Sequence, residues 1–127
     1  MTRRQVAQSL VEFGLLLPPL LMLILGIVDA GRGAVASASL SNGAQEGARY
    51  GAIHWRDATW QADTYSTILN ATLGLDSSQI QFPPSSVTLQ SGVVNVQLVY
   101  TFQVATPLLS SIIGPLTLTA KASMAAQ

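Results

Sequence analysis

Hydrophobic and polar positions divide this chain into an apolar start, a small-residue middle and an alternating end. Side chains from Phe13 to Val28 are neither charged nor strongly polar, and Leu10 and Val11 extend the apolar run beyond Glu12. As a helix, the run from Leu10 to Val28 reaches roughly 28 Å, close to the ~30 Å hydrocarbon core of a bilayer. The pattern therefore predicts one membrane-spanning helix near the start of the chain.

Charges at both ends of the apolar run predict its orientation. Arg3 and Arg4 precede the run, and Asp29 and Arg32 follow it. Because short arginine-bearing ends stay on the cytoplasmic side, the N-terminus is predicted in the cytoplasm and the C-terminal part outside. A buried core helix is a poor alternative, since the remaining chain is too small to cover a helix that is apolar all round.

Glycine, alanine and serine dominate the next stretch, and no proline interrupts it. The helix is therefore predicted to continue over residues 31–53. Gly43, Gly47 and Gly51 recur at every fourth position and form a small-residue face that permits close packing. This face packs either on the sheet of the same chain or on a partner, and the pattern does not choose between them.

A second, shorter helix is predicted over residues 58–73. Asp57 is expected to cap its start, and Gly74 is expected to end it. The side chains predicted to form its apolar side recur at helical spacing: Ala58, Ala62, Tyr65, Leu69 and Leu73.

Alternation of apolar and polar residues predicts an antiparallel sheet of about three or four strands over residues 79–125. A short strand is expected around Ile80, a turn at Ser91-Gly92, and a long strand from Val94 to Val104. Such a sheet has one buried face and one wet face, and the helices are the available cover for the buried face. The predicted fold class is α+β, with a long N-terminal (transmembrane) helix, a shorter helix and a small antiparallel sheet.

The connection between the last two strands, residues 105–115, carries Leu108, Leu109, Ile112 and Ile113 at one-turn spacing. We predict a helical turn that plugs the end of the core. The alternative is an exposed apolar patch that contacts a partner or the membrane.

Composition argues against several kinds of chemistry. The net charge is +0, so there is no basic footprint for nucleic acid. The absence of cysteine excludes a disulfide scaffold and thiolate metal sites, and His54 is the single histidine. The sequence contains no phosphate-binding loop, dinucleotide fingerprint, EF-hand loop or nucleophile elbow. We therefore predict no catalytic residues, cofactor, metal or small-molecule substrate, and a structural role.

Three interpretations of the apolar run remain open on its own pattern. A secretory signal peptide would be cut after the run, where Ala34, Ala36 and Ala38 supply small residues. A permanent membrane anchor would not be cut. A prepilin-type segment would lose only a short leader before the run.

Glu12 favours the third interpretation. A carboxylate near lipid costs several kcal/mol unless it is paired. A cut between Ala7 and Gln8 would free an α-amino group close enough to pair with Glu12, in the same or a neighbouring chain. That pairing would favour lateral packing of helices in one register.

Pro18 and Pro19 lie within the predicted span. Each lacks an N–H, so the carbonyls of Gly14 and Leu15 lose their usual donors and a kink is expected. Neighbouring helices in a membrane or a filament can satisfy such carbonyls.

Two blocks of residues resemble a known family. The stretch QSLVEFGLLLP (residues 8–18), followed by GIVDAGR (residues 26–32), resembles the N-terminus of TadE-like pseudopilins. These are minor subunits of the tight-adherence (Flp) pilus system. The block AQEGARYGA (residues 44–52) is also similar to that family, and the alternating stretch of residues 94–119 is similar in style.

The resemblance implies a division of the chain and a processing step. Residues 1–7 would be a leader, residues 8–30 a transmembrane and assembly helix, and residues 31–127 a pilin-like extracytoplasmic head. A membrane-embedded aspartic prepilin peptidase would cut between Ala7 and Gln8. The family usually has glycine before the cut, whereas Ala7 stands here.

The implied function is a minor or initiating subunit in pilus assembly, held in the bacterial inner membrane and able to enter a surface pilus. The implied partners are the prepilin peptidase, other pilin or pseudopilin subunits and the membrane. The alternative is a permanently anchored envelope protein whose head binds a secretion or envelope component.

Overall fold

Three helices and a four-stranded antiparallel sheet make up most of the described part of the chain. The computed structural model describes the backbone of residues 3–127 and the side chains of residues 4–107 and 109–127. The predicted α+β class, with a long N-terminal helix, a shorter helix and a small antiparallel sheet, is confirmed. In chain order the elements are α1 (Arg3–His54), α2 (Trp60–Ala71), a 3₁₀ turn (Ser77–Gln79), β1 (Ile80–Gln81), β2 (Val87–Gln90), β3 (Val93–Phe102), α3 (Pro107–Ile113) and β4 (Leu116–Ala125).

Helix α1 has an uncovered half and a packed half. Its 52 residues give a length of about 78 Å at 1.5 Å per residue. All side chains of residues 4–25 are exposed. In the second half a buried residue recurs at every fourth position: Ala36, Leu40, Ala44, Ala48 and Ala52. The second half therefore packs with α2 and the sheet into one unit, which we call the head, while the first half projects from it.

Strand β3 is the centre of the sheet. It pairs with β4 from Val93 opposite Ala125 to Phe102 opposite Leu116, and with β2 and β1 along its other edge. Ser91 and Gly92, with φ of 51° and 75°, form the two-residue turn that joins β2 to β3. The turn predicted at these residues is confirmed.

The core lies between the sheet and the two longer helices. Leu40 of α1, Ile68 of α2, and Val94 and Leu98 of β3 are among its fully buried members. The C-terminus closes one end of this core, because the Gln127 N–H donates to the Ala52 carbonyl at 2.9 Å.

Helix α2 differs from its prediction at both ends. It begins at Trp60 and ends at Ala71, two residues inside each predicted bound. The predicted capping role of Asp57 is wrong, since Thr59 occupies the N-cap position and makes no side-chain capping bond. Asp57 instead lies in the connecting turn, where its backbone carbonyl accepts the Trp60 N–H at 3.3 Å.

The predicted apolar side of α2 is also wrong, except at Tyr65, which packs against the core. The buried side chains are Thr64 and Ile68, whereas Leu69 and Leu73 are 39% and 79% exposed. The side of α2 that meets α1 carries Thr64 and Ile68, and Ile68 packs where Gly47 of α1 has no side chain.

Helix α3 does not plug the core as predicted. Ile112 and Ile113 are 74% and 51% exposed. Leu109 instead lies beside Gly26, near the end of the apolar segment of α1. Leu108, another member of the predicted plug, falls outside the described side chains.

Candidate assembly site

The uncovered half of α1 is a continuous apolar surface. Among the described residues, α1 is the single helix that is long and apolar enough to cross a membrane, judged by length and composition. None of the most apolar stretch of α1 is buried within the chain. A monomeric soluble protein rarely leaves so large an apolar surface open, so this surface needs a lipid or protein cover.

Gln8 and Glu12 contact each other at the start of this surface. The Gln8 side-chain amide donates a hydrogen bond to Glu12 Oε1 at 3.1 Å, one helical turn away. Ala7 directly precedes them and is exposed, as both of these residues are. Met1 and Thr2 of the predicted leader lie outside the described residues.

Pro18 and Pro19 lie inside α1, and the helix runs through both without interruption. Each faces a groove between α1 and the start of α3. Pro19 lines one groove with Gly26 and Leu109, and Pro18 lines the other with Pro107. The prolines therefore lie beneath α3, within the apolar segment.

Asp29 joins the end of the apolar segment to the head. Its Oδ2 accepts hydrogen bonds from the Thr106 N–H at 2.8 Å and the Thr106 hydroxyl at 2.6 Å. Its Oδ1 accepts from the Ala105 N–H at 3.2 Å and from the Arg32 guanidinium at 2.9 Å. Asp29 is only 6% exposed, so four donors compensate the burial of its carboxylate. We call this cluster of Asp29, Arg32, Ala105 and Thr106 the junction.

Arg32 is the outer part of the junction. Its side chain is 53% exposed, and its guanidinium lies 5.5 Å from the centre of the Phe102 ring, within cation–π range. The junction thus connects α1, the end of β3 and the start of α3. The charges at the end of an apolar run and their three-residue spacing are visible in the sequence, but the partner Thr106 is not.

Gly43, Gly47 and Gly51 form a face that the chain itself covers. A β-carbon at Gly43 would overlap Thr72 Cγ2, and one at Gly47 would overlap Ile68 Cγ1. At Gly51 a β-carbon would lie 3.0 Å from Val94 Cγ1. The small-residue face therefore packs inside the head, where it allows α1 to approach α2 and β3 closely.

No group of three or more metal-ligating side chains occurs among residues 3–127 as the structure describes them. The carboxylates of Glu12 and Asp29 instead accept hydrogen bonds from residues of their own chain. What the geometry offers is an open apolar helix with a polar pair at its start and a fixed junction at its end.

Residues 7–49 match the family model described as TadE-like protein. Neither curated proteins nor solved structures give a significant match. The matched range includes Gln8, Glu12, the two prolines, Asp29 and most of the glycine face. The TadE-like family is structural rather than enzymatic, and the apolar helix fits single-pass membrane anchoring in a pilus system. The resemblance to TadE-like proteins of the tight-adherence (Flp) pilus system is therefore confirmed over residues 7–49, the part of the chain that the family model matches.

Proposed function

We propose that the protein is a single-pass pseudopilin of the bacterial inner membrane and a minor or initiating subunit in tight-adherence pilus assembly. The observation that carries the proposal is the extent of the TadE-like match, which begins at residue 7 and covers the whole apolar segment. The surface of residues 4–25 is open. A bilayer would cover it first, and neighbouring subunits would cover it in a filament.

Orientation follows from charge. Arg4 precedes the apolar run, and the head follows it. With the arginine-bearing end in the cytoplasm, the head lies on the outer side of the inner membrane. The junction then lies at the outer surface of the bilayer, and Glu12 lies near the inner one.

Processing would change the partner of Glu12. In the uncut chain Glu12 accepts a bond from the neutral Gln8 amide. Cleavage between Ala7 and Gln8 by a prepilin peptidase would place an ammonium group on Gln8, one turn from the carboxylate. A charged donor makes a stronger hydrogen bond than a neutral one. Glu12 could then pair with the new terminus of its own chain or with that of a neighbouring chain. Pairing with a neighbour would set the register between subunits.

The cleavage is tested by N-terminal mass analysis of the membrane-extracted protein. We expect the native chain to begin at Gln8 in cells that have an active prepilin peptidase, and to retain its leader in cells without one. The Ala7→Gly variant restores the usual residue before the cut and is the matched control, expected to be cut at the same bond. If that control is cut while the native chain keeps its leader, the native protein is a permanently anchored envelope protein.

The role of Glu12 is tested by Glu12→Ala. A hydrogen bond to a charged group contributes about 1.5–3 kcal/mol, so recovery of pilus subunits with the variant should fall by roughly tenfold or more. Membrane insertion should persist, because the apolar run is intact. The measurement is crosslinking in intact cells followed by co-purification of pilus subunits.

Glu46→Ala is the control for this experiment. Glu46 lies in the packed half of α1, and its carboxylate is 3.9 Å from Arg49 Nε at an exposed position. Its removal should leave co-purification unchanged. Equal recovery from Glu12→Ala and Glu46→Ala would show that Glu12 does not set the register.

A further inference from the structure

Helix α3 lies beside the outer end of the apolar segment. A β-carbon at Gly26 would be 3.5 Å from Leu109 Cδ1. Gly26 precedes Val28 by two residues, so Leu109 lies about 3 Å on the membrane side of the end of the apolar run. The junction fixes this placement, because Thr106 precedes α3 and is bonded to Asp29.

The surface of α3 is apolar and open. Ile112 is 74% and Ile113 is 51% exposed. No charged residue occurs between Asp76 and Lys121, so the whole connection is uncharged. Such a surface is unfavourable in water at this place but suits the boundary between headgroups and acyl chains.

Polar groups of α3 are satisfied within the chain. The hydroxyls of Ser110 and Ser111 both donate to the Pro107 carbonyl, at 2.8 Å and 3.0 Å. The Gly114 N–H donates to the Ser110 carbonyl at 3.0 Å. Segments that enter lipid must satisfy their polar groups internally, and these serines and the end of the helix do so.

We propose that α3 is a second membrane-contacting element, which enters the outer leaflet of the bilayer beside the membrane-spanning helix. The surface of α3 is continuous with that of the span, since Met22 and Leu109 line one apolar groove. Arg32, half exposed one turn beyond Val28, lies at the level of the lipid phosphates. The proposal rests on the proposed membrane anchoring. It adds that the head is seated on the bilayer at two places.

The absence of cysteine allows a direct test with single labels. The full chain carries Ile112→Cys on α3, Leu16→Cys in the span, or Ser123→Cys on the exposed face of β4. Each variant is labelled with an environment-sensitive fluorophore in vesicles of phosphatidylcholine and phosphatidylglycerol. Quenching is measured with aqueous iodide and with nitroxide groups on the acyl chains near the headgroups.

We expect the label at residue 112 to be at least about threefold less accessible to iodide than the label at residue 123, and to be quenched by the nitroxide lipids. A label at residue 112 as accessible to iodide as that at residue 123, with residue 16 shielded, overturns the proposal and leaves the anchoring intact. Shielding at residue 112 without lipid quenching, lost on dilution of protein in lipid, also overturns it, because a second copy then covers α3. Exposure of residue 16 would overturn the anchoring itself.

Discussion

Replacing Gly47 with valine is expected to destabilise the head by about 3 kcal/mol, the upper end of the usual cost of overpacking a well-packed core. The new side chain would enter the space of Ile68, which is 0% exposed. A β-carbon at Gly47 would by itself overlap both Ile68 Cγ1 and Ile68 Cδ1. The helices α1 and α2 would have to separate, and the contacts of both with the sheet would loosen.

Denaturant unfolding of the full chain in detergent micelles measures this effect. Both tryptophans, Trp55 and Trp60, lie in the head, so their fluorescence reports head unfolding. Gly31→Ala is the matched control, because Gly31 is also helical but a β-carbon added there would meet no atom within 4 Å. That change should stabilise α1 by up to about 1 kcal/mol.

A double variant separates steric overlap from other causes. Ile68→Ala removes the atoms that valine at position 47 would meet. Combined with Gly47→Val it should cost less than the sum of the two single changes, by about 1 kcal/mol or more. Strict additivity, or equal unfolding midpoints for Gly47→Val and Gly31→Ala, would contradict the packing described for this face.

Replacing Asp29 with alanine is expected to release the start of α3 from α1. The change leaves the Thr106 N–H and hydroxyl without their acceptor in a buried place and leaves Arg32 without its carboxylate. Hydrogen bonds to charged groups contribute about 1.5–3 kcal/mol each, so a local loss of about 3 kcal/mol is reasonable. We expect Asp29→Asn to be nearly as disruptive, since its amide replaces one acceptor with a donor facing other donors.

Hydrogen exchange of backbone amides in the full chain measures the release. A loss of about 3 kcal/mol corresponds to roughly 100-fold faster exchange at residues 105–113. Exchange in β3 should change little, because its pairing with β4 does not involve the junction. Glu46→Ala serves as the control, since Glu46 is exposed and weakly paired. Unchanged exchange at residues 105–113 in Asp29→Ala would show that the junction does not hold α3.

The two predictions concern two of the places where α1 is joined to the rest of the head. The glycine face joins α1 to α2 and β3, and the junction joins it to α3. Because α1 continues from the apolar segment into the head without a break, we expect the head and the span to move as one body. Under the proposed function, such a body would pass from bilayer to filament without refolding.

The local sequence pattern was enough to predict several features of the fold. The apolar run with its flanking charges was sufficient to predict an uncovered helix, and the alternation along the long strand predicted one buried face, to which Val94, Val96 and Leu98 belong. The spacing of small residues in α1 also identified the face that packs most closely. Helix period, strand period and hydrophobicity are properties of neighbouring residues, so a sequence displays them directly.

Which partners these faces meet depends on how the elements pack together, and the local pattern does not predict it. Ile68 rather than Leu69 is buried because Ile68 lies on the side of α2 that meets Gly47, which belongs to a different helix. Asp29 and Thr106 are 77 positions apart, and nothing in either local pattern indicates their contact. Shape fit and long-range hydrogen bonds depend on the packed arrangement of all the elements, which is why α3 lies beside the span instead of closing the core.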